Sequence, residues 1–243
     1  MILFVSGTGT GVGKTIVTAA VAALAQANQG RQQRVAVVKV AQTGVAAGPS
    51  TGGPGSETPD LETVTRLSLV TDVHEFARFP DPLSPEAAAR VSGLPPVDFA
   101  RAAARIEELA KTRDLVLVEG AGGLLVRYDS DGKTIADLAV ALDAPALIVT
   151  AAGLGTLNHT ALTLEAASAR KLAVAGVVVG SWPRDPGLAE WENLNDLAVV
   201  ANGPLAGLLP EGSGALPPDQ FHAVARKGLS PDLGGTARFS YTV

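Results

Sequence analysis

The sequence predicts an α/β fold, a mostly parallel sheet with helices on both faces. Three observations predict it. Short, continuously apolar runs alternate with longer amphipathic ones along the 243 residues, as buried parallel strands joined by crossover helices do. Apolar residues make up 47% but aromatics only 4%, a mix suited to Val-rich strands under Ala-rich helices. Glycine-rich stretches follow the carboxyl ends of the apolar runs, where sheets of this kind bind ligands. The length suits one domain over residues 1–243.

The elements follow in order. ILFVS (2–6) is a strand ending in glycines, and residues 14–30 form a helix closed by Gly30. RVAVVKV (34–40) is the second strand. Residues 44–59 are rich in Gly, Pro, Ser and Thr without periodicity, and read as a mobile loop. Helices are predicted at 60–70, 85–91 and 98–113, with Pro80, Pro82 and Pro85 breaking the chain between the first two. DLVLVEG (114–120) is a buried strand. Then helix and strand alternate: 135–142, 145–150, 156–171, 173–180, 188–201 and 205–210. A last helix lies around 218–228, and no element is assigned to the polar end.

Composition narrows the function. The chain has no cysteine, which excludes disulfides and thiolate metal sites. A net charge of −5 gives no electrostatic reason to expect nucleic acid as a partner. No apolar run reaches membrane-spanning length, and the first residues read as a strand rather than a signal peptide. No membrane partner is expected, and a cytoplasmic location is.

Residues 7–15 read GTGTGVGKT. A loop of this kind between strand and helix is the context of a P-loop: glycines let consecutive N–H groups form a nest for oxyanions, and the helix start adds positive charge. Residues Gly11, Val12, Gly13, Lys14, Thr15 and Ile16 are the expected cradle of a nucleoside triphosphate. Lys14 reaches its β- and γ-phosphates, and Thr15 offers a hydroxyl to Mg²⁺. The ordinary spacing would put the first glycine where Thr8 stands; the nearer match is Gly7, so the loop is one residue longer than usual.

Glu119 ends a run of four apolar residues, at a strand terminus where a carboxylate can meet Mg²⁺. Gly120, Ala121, Gly122 and Gly123 after it permit close approach of a ligand. Asp60 starts a helix, and both an N-cap role and a metal role fit it. Lys39, inside an apolar strand, is costly unless it meets an anion, and reads as stabilising charge on a transferring phosphoryl group. Gln42 and Thr43 follow within reach of a substrate.

Taken together, these residues resemble the dethiobiotin synthetases, ATP-dependent enzymes that close the ureido ring in biotin synthesis. The likeness is carried by Gly7–Thr15, by VEGAGG at Val118–Gly123 and by LGTLNH at Leu154–His159, and it extends in order from residue 1 to about 210. GTLNHTALTLEA and GSWP look especially like actinobacterial members. The resemblance implies a P-loop NTPase-like α/β fold working as a homodimer. It also implies a reaction among 7,8-diaminopelargonic acid, CO₂ or bicarbonate, and ATP or another nucleoside triphosphate, through a carbamate and a carbamic–phosphoric anhydride.

Carried over by position, the resemblance makes Lys39 and Lys14 the catalytic lysines. Thr15, Asp60 and Glu119 become the Mg²⁺ positions, which favours the metal reading of Asp60. Thr10, Thr43 and Gly122 contact the diamine or carbamate. Gly155, Thr156, Leu157 and Asn158 open a helix that holds the substrate's tail carboxylate across the dimer interface, with Asn158 expected to cap it. Gly180, Ser181, Trp182 and Pro183, together with Leu209, Pro210 and Glu211, line the base pocket, where Trp182 is placed to stack.

Three positions depart from the family pattern. Gly11 stands where many members have Glu, Val40 where a proline usually follows the catalytic lysine, and Gly180 where many members place an Asn that reads the purine edge. The last departure implies relaxed base selection. His159 is expected to support the tail-binding turn, and His74 and His222 to be ordinary surface or packing residues. Trp191 is expected to pack.

One reading from another class shares the sheet and the loop: an ATPase switch of the partition or positioning type. Such proteins carry an additional lysine early in the loop, where Thr8, Gly9 and Thr10 stand here.

Overall fold

A computed structural model gives the fold and describes residues 1–27, 33–45 and 58–240. In chain order the elements are β1 (Ile2–Gly7), α1 (Lys14–Gln26), β2 (Val35–Lys39), β3 (Gln42–Thr43), α2 (Asp60–Ser68), β4 (Val73–Glu75) and β5 (Arg78–Phe79). There follow α3 (Pro85–Ser92), α4 (Phe99–Thr112), β6 (Leu115–Glu119), α5 (Ile135–Ala141), β7 (Ala146–Thr150) and α6 (Thr156–Ala169). The last are β8 (Val174–Trp182), α7 (Leu188–Val200), β9 (Gly207–Pro210) and α8 (Pro218–Gly228).

Among the described residues, seven strands form one sheet in the order β4-β2-β6-β1-β7-β8-β9. Every neighbouring pair in it is parallel. Successive side chains of a strand face opposite sides. Phe4, Val38, Val118, Ile148 and Val179 enter a core that Ala89, Ile106, Leu138, Ala167 and Leu197 of α3 to α7 cover. Leu3, Val5, Val37, Leu117, Val149 and Val178 enter the opposite core, under Val17, Val64 and Phe221 of α1, α2 and α8. Both faces are apolar, so the strands read as continuous runs rather than alternating ones.

The topology decides where chemistry can occur. From β1 the chain moves first toward β2 and β4, then returns through β6, and later crosses to β7, β8 and β9. The order therefore reverses around β1, and a crevice opens beyond its carboxyl end. Because the strands are parallel, Gly7, Lys39, Glu119, Thr150 and Trp182 all finish at this one edge of the sheet.

Several boundaries differ from expectation. Helix α1 is described only to Gln26, with Ala27 as its C-cap, and the predicted stop at Gly30 lies outside the described residues, as do positions 46–57 of the predicted mobile loop. The short strands β3, β4 and β5 escape sequence reading because two or three residues carry no measurable period. Strand β8 runs through Gly180 to Trp182, where glycine was read as a stop. A Cβ at Gly180 would lie 2.1 Å from Val12 O and 2.6 Å from Val149 Cγ1. The glycine there serves close approach, not chain reversal. The polar end is tied down: Leu229 is buried and bridges Gly207, and Ala237 N donates to Leu229 O at 2.9 Å.

Candidate active site

Lys39 and Glu119 are register partners on β2 and β6, and both are almost fully buried. The Lys39 ammonium donates to Glu119 Oε1 at 2.8 Å and Gly120 O at 3.0 Å, and it also pairs with the Asp60 carboxylate. Burial alone would lower the Lys39 pKa, but Glu119 and Asp60 outweigh it and hold the ammonium well above the ordinary lysine range. In the same way Lys39 holds the Asp60 carboxyl low against the upward push of burial. The charge therefore persists at every working pH.

Asp60 reaches this centre as the first residue of α2, with its N–H donating to Gln42 Oε1 at 3.0 Å. Pro59 takes the N-cap position, so the capping role considered for Asp60 is not realised and its carboxylate is free for the centre. Thr15 Oγ1 lies 2.9 Å from Asp60 Oδ1 and 3.0 Å from Glu119 Oε1.

These three oxygens fit Mg²⁺. An octahedral shell with Mg–O of about 2.1 Å places neighbouring ligands about 3 Å apart. Thr15 stands at that separation from both carboxylates, and the donor set is all hard oxygen with only two carboxylates, leaving room for phosphate and water.

The phosphate loop folds tightly behind them. Gly13 adopts φ 95, the left-handed region, and a Cβ there would lie 2.5 Å from Gly180 O. Only glycine tolerates both the dihedral and the contact. Lys14 curls back so that Nζ donates to Gly9 O at 2.8 Å, closing the loop over its own nest. Burial, reinforced by the charge of Lys39 and opposed by Glu119 and Asp60, pushes the Lys14 ammonium down to about 8.

A cavity of about 750 Å³ opens over this centre. It brings together Thr10, Gly11, Gly13, Lys14, Thr15 and Ile16 from the loop and the start of α1, Lys39 from β2, Gln42 and Thr43 from β3, Asp60 from α2, and Glu119, Ala121 and Gly122 from the third motif. The chain can thus hold a triphosphate, a divalent cation and a small polar substrate in one crevice.

A family profile described as an AAA domain matches residues 2–215. The ATP-dependent dethiobiotin synthetase BioD of Frankia casuarinae is 61% identical, over 97% of this chain and 94% of its own. That of Saccharopolyspora erythraea is 56% identical over 96% and 97%. The chain belongs to the dethiobiotin synthetase family. Among solved structures, the MinC:MinD cell division protein complex of Aquifex aeolicus matches with a TM-score of 0.55 at 15% identity, over 98% of this chain and 99% of that one. The septum site-determining protein MinD of Pyrococcus horikoshii, complexed with Mg-ADP, matches with 0.54 at 19%, over 96% and 93%. At such identities the likeness concerns the fold, which is that of P-loop ATPases.

Relative to the dethiobiotin synthetase pattern, the departures acquire physical reasons. Gly11 has φ 74, a dihedral that disfavours a side chain although the space beside it is open. Val40 N donates to Glu119 O at 3.2 Å, a bond a proline could not make. Gly180 has no room for any side chain against the loop in this conformation.

Two groups of expected site residues lie apart from the cavity. Around the expected base pocket, Glu211 N donates to Trp182 O at 2.6 Å and Arg184 N to Glu211 Oε2 at 3.4 Å, joining residues 181–184 to 209–211. Trp182 packs edge-on against Trp191, centroids 5.2 Å apart, so its ring already has a partner, and the packing expected of Trp191 is made while it stays half exposed. Leu209 is fully buried and offers the pocket only backbone. The other group is the Gly155–Asn158 turn. Its N-cap is Gly155, at φ 87, and no side chain caps the helix, so Asn158 does not cap as expected and stands exposed. Thr156 is buried, its hydroxyl donating to Ala151 O at 2.6 Å and 2.7 Å from Thr150 Oγ1 and its N–H donating to Gly153 O at 3.2 Å, so its donors are engaged within the protein.

Tyr128 was missed. It is fully buried, edge-on to Phe99, and its hydroxyl accepts the Ala121 N–H at 2.5 Å. The same peptide unit carries Gly120 O, which Lys39 holds. Tyr128 and Lys39 therefore grip opposite ends of one peptide bond in the glycine turn. Burial pushes the phenol up to about 12, so it stays protonated. Its position nine residues after Glu119 follows no spacing rule, and its place between Arg127 and Asp129 in a polar run hides that it is buried.

Proposed function

We propose that the chain catalyses ATP-dependent carboxylation and ring closure of 7,8-diaminopelargonic acid with CO₂, giving dethiobiotin, ADP and phosphate. The observation that carries this reading is the junction of Lys14, Thr15, Lys39, Asp60 and Glu119 in a chain 61% identical to an ATP-dependent dethiobiotin synthetase.

One amine of the diamine captures CO₂ as a carbamate, losing a proton. A carbamate oxygen attacks the γ-phosphorus, the bond to the bridging oxygen breaks, and ADP leaves. The second amine attacks the carbonyl carbon of the resulting anhydride, the C–O bond breaks, phosphate departs, and the ring closes with loss of a proton.

The residues have distinct tasks in this scheme. The nest from Gly11 to Ile16 holds the phosphates, and Lys14 exchanges Gly9 O for their oxygens. Lys39 turns from the two carboxylates toward the transferring group, where its charge is worth most as negative charge develops. Thr15, Asp60 and Glu119 would hold Mg²⁺, which supplies charge neutralisation on the phosphate oxygens. Thr10, Thr43 and Gly122 orient the carbamate, and Tyr128 keeps the adjoining turn from flipping.

The tail carboxylate is assigned to the N–H groups of Gly155–Asn158 on the second subunit of a homodimer. The exposed Leu125 and Leu162, which line one hollow, support such a dimer face, since large apolar side chains seldom stay in water together. The base is assigned to the backbone of Gly180–Pro183 and Leu209–Glu211. With no purine-reading side chain at position 180, other nucleoside triphosphates are accepted beside ATP, and CTP and GTP compete measurably in turnover assays. A strict ATP preference contradicts that assignment.

The test of the reaction itself is its co-substrate requirement. Phosphate release that needs both the diamine and bicarbonate supports it. Release indifferent to the diamine but stimulated by a protein or DNA partner favours an ATPase switch.

A further inference from the structure

Asn193 lies on α7, about forty residues along the chain from the turn it contacts. It is 7% exposed, and its side-chain amide donates to two consecutive carbonyls of the turn after β7: Ala152 O at 2.8 Å and Gly153 O at 3.1 Å. An amide nitrogen has two protons to give, one for each carbonyl. The same turn is gripped from its other end, where Thr156 Oγ1 donates to Ala151 O and Thr156 N to Gly153 O at 3.2 Å. All three carbonyls from Ala151 to Gly153 are thus engaged by protein. This fixes the peptide planes leading into Gly155, whose left-handed dihedral starts α6. Beyond Thr156, the N–H groups of Leu157 and Asn158 in the first turn have no acceptor inside the helix.

We propose that Asn193 is a positioning residue for the substrate's carboxylate tail. It sets the direction of the α6 N–H groups by clamping the turn, without touching the substrate. The proposal rests on the assignment of Gly155–Asn158 as the tail site. Neither α7 nor an asparagine in it carries any sequence signal for this role, because the bonds go to backbone atoms forty residues away.

The test uses the full-length enzyme with 7,8-diaminopelargonic acid and with 7,8-diaminononane, which lacks the carboxylate. Wild type, Asn193→Ala, Asn193→Asp and Asn193→Ser are compared after circular dichroism confirms folding. Aspartate fills the same volume but, ionised, donates nothing. Serine keeps one donor, so the proposal stays testable where the alanine variant does not fold. The expected result is a KM for the acid raised about tenfold in the Ala and Asp variants, with serine between them and wild type, and KM for ATP unchanged. The preference for the acid over the tail-less diamine collapses toward one. Variants that keep the wild-type preference, or that lose activity equally on both substrates, overturn the proposal alone. A wild-type enzyme without that preference removes the tail-site assignment and the proposal with it.

Discussion

Lys39 Nζ sits 2.8 Å from Glu119 Oε1 and also pairs with Asp60, so an ammonium occupies the space between two carboxylates suited to a metal. Replacing it leaves both acids uncompensated in a buried site, a loss of about 3–5 kcal/mol when one partner of such a cluster is removed. Lys39→Met is expected to lower the melting temperature and to reduce turnover by about 10³-fold or more. Mg²⁺ added without nucleotide is expected to raise the melting temperature of the variant more than that of the wild type, because no ammonium competes for the oxygens. Equal shifts in differential scanning fluorimetry would show that lysine and metal do not share the space.

Lys14 gives the site a pH dependence. Its ammonium is lowered from 10.5 to about 8 in the folded chain, while a bound triphosphate favours the charged form. Nucleotide affinity is therefore expected to be flat below about pH 8 and to fall above it, approaching about tenfold per unit, with proton uptake on binding. Calorimetry in buffers of different ionisation enthalpy measures that uptake, and affinity unchanged between about pH 7 and about pH 9.5 contradicts it. The stability sign is opposite. Between about 8 and 10.5 the unfolded chain binds more protons than the folded one, so this residue's contribution to stability rises with pH across that window. Lys14→Met removes both effects.

Gly180→Ala tests the contact between β8 and the phosphate loop. A Cβ only 2.1 Å from Val12 O must displace the loop. The variant is expected to weaken ATP, CTP and GTP alike, by about tenfold, since the loss lies in the phosphate nest rather than at the base. Weakening confined to one base would assign the residue to base reading instead.

Leu125→Glu and Leu162→Glu test the dimer. Both side chains line one shallow hollow with Thr10, and a charge buried there is costly. Analytical ultracentrifugation is expected to show monomers, and KM for the diamine to rise with KM for ATP little changed. A dimer that survives both substitutions places the interface on another face.

Much of this molecule was legible before its coordinates. The runs around β1, β2 and β6 were readable because burial on both faces makes them continuously apolar and a glycine or charge ends each. Lys39, Glu119 and the phosphate loop stood out because charge and glycine at strand ends are costly without a ligand. Edge strand β4 was not readable, since three half-buried residues show no period. Asp60 was ambiguous because capping and metal binding ask for the same residue type at the same place, and only the position of Pro59 separates them. Tyr128 and Asn193 bond to backbone atoms, which have no letter in a sequence. Nothing in the chain order announces that Trp191 returns against Trp182.

The main-chain contact between Gly13 and Gly180 also limits how nucleotide choice can be redesigned. If the base binds where proposed, one side of its site is welded to the loop, and a new hydrogen-bonding side chain has to be introduced from the neighbouring end of β9. Pro210 and Glu211 are both solvent-exposed there. Engineering or drift toward a single nucleotide would start at those two positions and leave the strand beneath them untouched.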